Sequence, residues 1–591
     1  MSLPRSCFVA ACLLALTACS GAYAAPAGDN NNIEAFKPLS PVMRIEDIRP
    51  GMKGRALTVV KGRDIVSFPV TVVSVMPTNE SPRNLILIKV SGPLIEKTGG
   101  IAAGMSGSPV YISGKLVGAI GYGWNFSEHD LGLVTPIEEM ALALDWPDRL
   151  PVLPREPMNL EPLDSRDVTG VADAAEMAAP LVISGCSERA AESIGNTMGR
   201  EVRSLPGNVP GGELPVEYDA VLKPGEAVSV LLAWGDVSLA ATGTLTATGE
   251  DGRFLAFAHP FIDRGAVAYP LARSWVHDVV PSMRSPFKLG TPVSIVGIVT
   301  QDRPQAIGGR TGTFAPVVDL SLGLKDVDSG REEHRRFHVT YDPFLLTEIL
   351  PELLIGLVDT TWARKGQGTA RVSLFVEGGS FVEGWQRTNM FFSDEDIAKT
   401  IVADCTDLVR AISLNPFKEI NPLGIHVELE VTSEPRVLLI EDIKVPEEKL
   451  AVGESFDVTV TLHPYREKTQ QKTFELTVPE GASGMCEVVV RGGGIEEPGQ
   501  ETLAQGWRTI QSLDELLTEI SAMETNDEVI VEIRSDAFLE QDMPPMPGDE
   551  NEQKLQSEIR KDKMEKGQLR SFRSNYYVDG LLRRMLSVEG Q

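Results

Sequence analysis

The residues best suited to chemistry lie in Gly104-Met105-Ser106-Gly107-Ser108-Pro109, a G-x-S-G-x-P stretch between two apolar segments. Acyl transfer needs a serine nucleophile on a sharp turn, with backbone N–H groups aimed at the developing oxyanion. The glycines at 104 and 107 leave room for a substrate carbonyl and permit unusual backbone angles. Ser106 is therefore the candidate nucleophile, and the N–H groups of Gly104 and Ser106 are the candidate oxyanion donors. A bland alternative is a glycine-serine loop between strands. The second chemical candidate is His259, in Ala258-His259-Pro260-Phe261-Ile262-Asp263. The strand Phe254-Leu255-Ala256-Phe257 delivers it, and a strand end is a common place for a catalytic base and for a structural histidine alike.

The other histidines point elsewhere. His129 sits in a Ser-Glu-His-Asp loop and reads as solvated, His277 reads as helical, and His426 and His463 fall in strands. His334 and His338 have H-x-x-x-H spacing, but Arg335 stands where a zinc-protease helix carries glutamate, and Phe337 to Tyr341 reads as a strand. Neither a metal nor another cofactor is expected.

The elements that must position the serine are short strands. Val110-Tyr111-Ile112, the Ser113-Gly114 turn and Leu116 to Ile120 form a hairpin. Upstream, Val66, Phe68, Val70 and Val72 alternate as in a half-buried strand. Thr135-Pro136 opens a closing helix. Residues 38–150 thus read as a small β-barrel. Residues 151–178 read as a linker, and 179–321 as a second strand-rich lobe bearing His259.

Thr98-Gly99-Gly100, the Ser106 hexapeptide and Gly114-Lys115-Leu116-Val117-Gly118-Ala119 resemble the SpoIVB-type serine peptidases. Gly243-Thr244-Leu245-Thr246 and the segment Ala258 to Asp263 are similar to that family's G-T-[LM]-T strand and histidine segment. The resemblance covers roughly residues 45–321. It implies a chymotrypsin-like double β-barrel, Ser106 as nucleophile and His259 as general base. Two features depart from the family. Its histidine segment precedes its serine segment, whereas the order here is permuted; its acidic residue aligns with Ser91. Asp263, at the family's aspartate position after the histidine, or another acid would orient His259; otherwise the pair works as a dyad or is silent. The family's PDZ module is not evident.

Behind the double barrel, residues 322–424 read as mixed α/β. Their one clear helix has Ile397, Ile401, Val402, Cys405, Leu408, Val409 and Ile412 on one apolar face. Clean alternation over 425–492 predicts an immunoglobulin-like β-sandwich. Residues 493–591 read as a C-terminal α/β segment with a charged tail.

Length, charge and the N-terminus bound the rest. A chain of 591 residues has room for about four domains. The net charge of -28 and the lack of a basic stripe argue against nucleic acid as a partner. Met1 to Ala24 reads as an export signal: a basic start, an apolar run from Cys7 to Ala18, then small residues. Leu16-Thr17-Ala18-Cys19 fits a lipoprotein box, with Cys19 as the lipidated residue and membrane attachment. Ala22-Tyr23-Ala24 fits cleavage before Ala25. Beyond the signal stand Cys186, Cys405 and Cys486, among which one disulfide has room to form. The expectation is an exported, periplasmic or envelope serine endopeptidase acting on protein or peptide. The alternative is a catalytically silent envelope protein that binds partners.

Overall fold

The computed structural model describes residues 35–78, 81–148, 174–205, 212–378, 381–418, 420, 424–495, 510–534 and 555–589. The signal segment with Cys19, and most of the linker, lie outside these residues. The described chain forms two compact units. One takes residues up to 320 together with 335–360; the other takes 321–334 and everything from 361 onward.

The first unit opens with six strands: β1 (Lys53–Val59), β2 (Ile65–Pro77), β3 (Asn84–Val90), β4 (Pro109–Ile112), β5 (Lys115–Gly123) and β6 (Leu131–Pro136). They pair antiparallel in the order β1-β2-β3-β6-β5-β4, and β4 returns to β1. The sheet closes on itself, so no edge is left open. Alternate side chains of β2 and β3, among them Phe68, Val70, Val72, Ile86 and Ile88, fill one apolar core. The alternation read from the sequence is this inward face. The helix Pro93–Thr98 ends on the left-handed Gly99 and leads into the serine loop.

Three short strands follow, β7 (Ala175–Glu176), β8 (Leu181–Ser184) and β9 (Val202–Leu205), and then a second barrel. Its strands are β10 (Ala227–Gly235), β11 (Ser238–Thr248), β12 (Arg253–Ala256), β13 (Gly265–Val280), β14 (Phe287–Arg303) and β15 (Ala306–Thr311). They pair antiparallel as β10-β11-β12-β15-β14-β13, and β13 returns to β10. Counted from the first strand of each, the two barrels have the same pairing order. This is the double barrel that the family resemblance implied. His277, expected on a helix, lies instead in β13. The register shifts several times between β13 and β14, including between Val276 and Asp278, and each bulge breaks the period-two pattern.

In the other unit, strands Phe381–Ser393, Gly368–Gly378 and Gly424–Thr432 pair side by side, and the expected helix runs over Ile397–Ser413 with its apolar face buried. The strand Gly424–Thr432 alternates as expected, but its partner is Gly368–Gly378 rather than a sandwich strand. The sandwich itself comprises two four-stranded sheets. One contains Val437–Lys444, Ser455–Pro464, Gln470–Thr477 and Tyr577–Asp579; the other contains Gly484–Gly492, Glu528–Arg534, Leu569–Arg573 and Leu581–Val588. The C-terminal strands thus complete the sandwich, and Val458, Val460, Leu476, Val488, Val490 and Val531 share its core. Cys186, Cys405 and Cys486 are buried, and no disulfide joins them to one another. Among the described residues no helix is long and apolar enough to cross a membrane.

Candidate active site

The serine loop is held by its own carbonyls. Gly104 and Gly107 have φ of +87° and +86°, where a side chain is strained. The neighbouring β11 supplies the anchors. The Thr244 N–H donates to the Ser106 carbonyl at 2.9 Å, the Thr244 hydroxyl to the Gly104 carbonyl at 2.9 Å, and the Thr246 hydroxyl to the Gly107 carbonyl at 2.8 Å. The G-T-L-T strand therefore clamps the serine loop, because residues two apart on a strand share a face and here both hydroxyls meet that loop. A Cβ on Gly107 would lie 2.0 Å from the Thr244 carbonyl oxygen and 2.5 Å from the Phe257 nitrogen. The loop bearing Ser106 thus touches the backbone just before His259.

Beneath this contact lies Lys288, a residue that sequence reasoning missed. Its ammonium is buried and donates to the hydroxyls of Thr58 and Thr244, each at 2.9 Å. Burial pulls its pKa down to about 7. No sequence signal marked it: Phe287 and Leu289 flank it as the apolar positions of the strand, and its burial shows only in its partners.

The histidine follows a strained turn. Phe257 and Ala258, directly after β12, have φ of +68° and +61°. The Ala258 carbonyl accepts from the Thr135 hydroxyl of the first barrel at 2.7 Å. His259 is buried, and its Nδ1 lies 2.6 Å from the Pro260 carbonyl oxygen. A carbonyl only accepts, so Nδ1 carries the proton and Nε2 keeps its lone pair. Nε2 is buried and has no hydrogen-bond partner, so it is not bonded to the Ser106 hydroxyl here. Burial drives the His259 pKa down to about 3, with Arg200 adding to the fall and the Pro260 carbonyl opposing it.

Asp263 is exposed at the tip of the following loop, with φ of +54°. Among the described contacts, none joins it to His259. The acid that shapes this loop is Asp302, also missed. It is buried and accepts the N–H groups of Phe261, Ile262 and Arg264 at 2.6, 2.9 and 3.2 Å. Burial raises its pKa to about 6 against those three donors. Ser91, at the family's acidic position, follows the end of β3 and donates its N–H to the Pro69 carbonyl.

The chain that leads into the second barrel runs alongside the serine loop. β7 pairs antiparallel with the end of β5, setting Ala175 against Gly123 and Glu176 against Tyr122. The Met177 N–H donates to the Gly121 carbonyl at 2.8 Å, and the Gly104 N–H donates to the Met177 carbonyl at 3.1 Å. Of the two expected oxyanion donors, the Gly104 N–H therefore does meet a carbonyl. The Ser106 N–H has no hydrogen bond among the described residues. A Glu176 carboxylate oxygen lies 3.7 Å from His259 Nδ1. Burial pushes the Glu176 pKa up to about 7, against the pull of Arg200. Among the described residues no group of three or more His, Cys, Asp or Glu could hold a metal ion.

Two closed six-stranded barrels, with a G-x-S-G loop from one docked on the histidine-bearing strand-turn of the other, define the chymotrypsin-like architecture. Residues 18–141 match the family model of the SpoIVB peptidase S55, which is the family that the sequence resembled. The match covers the whole serine-bearing barrel and ends before the histidine-bearing one; it supports a serine peptidase. No curated protein matches the chain.

Proposed function

We propose that the protein is an exported serine endopeptidase that hydrolyses peptide bonds through an acyl-enzyme on Ser106. The observation that carries this reading is the docking of the Ser106 loop on β11 and on the turn before His259, which unites two motifs about 150 positions apart. In the proposed mechanism Nε2 of His259, unprotonated because Nδ1 faces the Pro260 carbonyl, removes the Ser106 proton and later returns it to the leaving amine. The N–H groups of Gly104 and Ser106 hold the oxyanion. Attack needs the serine hydroxyl to rotate into contact with Nε2, a contact that tightens when substrate is bound. In this mechanism the Pro260 carbonyl orients the imidazole, and Asp263, exposed and without a described contact to the ring, does not. The mature chain is proposed to start at a lipidated Cys19 or at Ala25, in the periplasm or cell envelope.

The test is hydrolysis of a peptide library, at millimolar total peptide, by the purified protein. Ser106→Ala and His259→Ala should each lower turnover by at least ~1000-fold, and the double variant should lose little more, since the pair acts as a unit. Asp263→Asn should stay within a few-fold of the parent. Full activity in either single variant would refute the assignment. One observation favours a second reading, a silent envelope protein: His259 Nε2 has no bond to the serine. No hydrolysis by the parent or by any variant would support it.

A further inference from the structure

The chain entering the second barrel passes through the cleft as a bound peptide would. Three contacts fix its register. Ala175 stands opposite Gly123 in an antiparallel bridge, the Met177 N–H reaches the Gly121 carbonyl, and the Met177 carbonyl reaches the Gly104 N–H. Gly104 is the donor that acyl transfer assigns to the oxyanion, so Met177 occupies the position of the residue whose carbonyl would be attacked. The side chains agree with the backbone. Met177 is buried with Ile101, Ala102, Met105 and Ile120 in one apolar cluster. A Cβ on Gly123 would come within 2.6 Å of its sulfur, so the glycine makes the room the methionine fills. Glu176, one residue earlier, points its carboxylate at the His259 ring. Beyond Met177 the chain runs on past Gly104, where a Cβ would stand 3.4 Å from that of Ala179. Ser106 and His259 are both 1 % exposed.

We propose that residues 175–177 are an internal occupant of the substrate cleft, that Met177 fills its specificity pocket, and that the enzyme takes extended peptides with an apolar residue not branched at Cβ, methionine or leucine, before the scissile bond. This assignment rests on the peptidase reading of the same cleft. The tethered strand holds its site at an effective concentration of the order of millimolar, so dilute peptide does not displace it. Removing the methionine anchor leaves the backbone contacts but empties the apolar pocket, and the balance moves toward added peptide. An acidic side chain in that pocket would be buried without a partner, which the pocket rejects.

The experiment measures binding of a fluorescent Ala-Ala-Glu-Met-Ala-Ala peptide in a Ser106→Ala background, where nothing is cleaved. Ser106→Ala/Met177→Gly should bind at least ~10-fold more tightly than Ser106→Ala alone. Replacing methionine in the peptide by leucine should change affinity by less than ~3-fold, and by aspartate should weaken it by at least ~10-fold. Ser106→Ala/Met177→Asp is a second way to unseat the strand, should the glycine variant not fold. Equal binding with and without the anchor, no binding to either folded double variant, or equal affinity for the methionine and aspartate peptides would overturn the proposal. Binding is read without catalysis, so the peptidase reading fails separately: a Met177→Gly protein that binds the peptide and leaves it intact would refute the enzyme and not the occupied cleft.

Discussion

Lys288 and His259 are buried titratable groups on either side of one loop, and both are held on the neutral side of their ordinary range. Lys288 falls from 10.5 to about 7, and His259 from 6.5 to about 3. In each case the unfolded chain binds a proton that the folded chain does not, so stability rises with pH between the two values. For His259 the contribution is complete above about pH 6.5 and is lost as pH falls toward 3. For Lys288 the rise runs from about pH 7 to 10.5. Lys288→Met should flatten the second slope and leave the first, which thermal unfolding measured across that range would read. An unchanged slope above pH 7 would show that the lysine is solvated. Neither burial was legible beforehand. A single histidine or lysine carries no period, and only the partners reveal its setting: Thr58 and Thr244 for Lys288, Pro260 for His259. His129 makes the same point. It reads as solvated from its Ser-Glu-His-Asp loop, yet it is buried, packed so closely against the Gly100 backbone that a Cβ there would lie only 2.3 Å from its own.

At the scale of elements, the serine loop depends on β11 more than on its own sequence. Gly107 is its tightest point: a side chain there meets backbone at 2.0 Å at a φ of +86°. Gly107→Ala should cost at least ~1–3 kcal/mol through strain alone. It should also lower activity beyond what the lost stability explains, because the loop and the Phe257 turn must separate. Thermal unfolding with turnover of the surviving folded fraction checks this; a fully active, equally stable variant would contradict the docking. The hairpin β4–β5 and the delivery of His259 by β12 were legible from alternation and turn residues. β7 was not. Its sequence, Ala-Ala-Glu-Met-Ala-Ala around residues 174–179, has small residues and no β-branched ones, and it is extended because β5 and Gly104 supply partners. The sandwich shows the same limit. Its alternating strands were plain, but Tyr577–Asp579 pairs with a strand 140 residues earlier and Leu581–Val588 with one about a hundred residues earlier, pairings that local periodicity does not encode.

For the molecule as a whole, the double barrel was accessible through motif resemblance, and its two barrels share one pairing order; the proposed mechanism asks only that the two motifs meet, whatever their order along the chain. Each barrel contributes one motif to the cleft, and the chemistry needs their proximity rather than their sequence order. The family match ends at residue 141, so the histidine half of the site rests on geometry. The most direct measurement is mass-spectrometric mapping of a fluorophosphonate probe on the full chain carrying Met177→Gly. A Ser106–His259 site predicts labelling confined to Ser106 and lost in the added His259→Ala variant. Labelling at another serine, or undiminished labelling without His259, would contradict it.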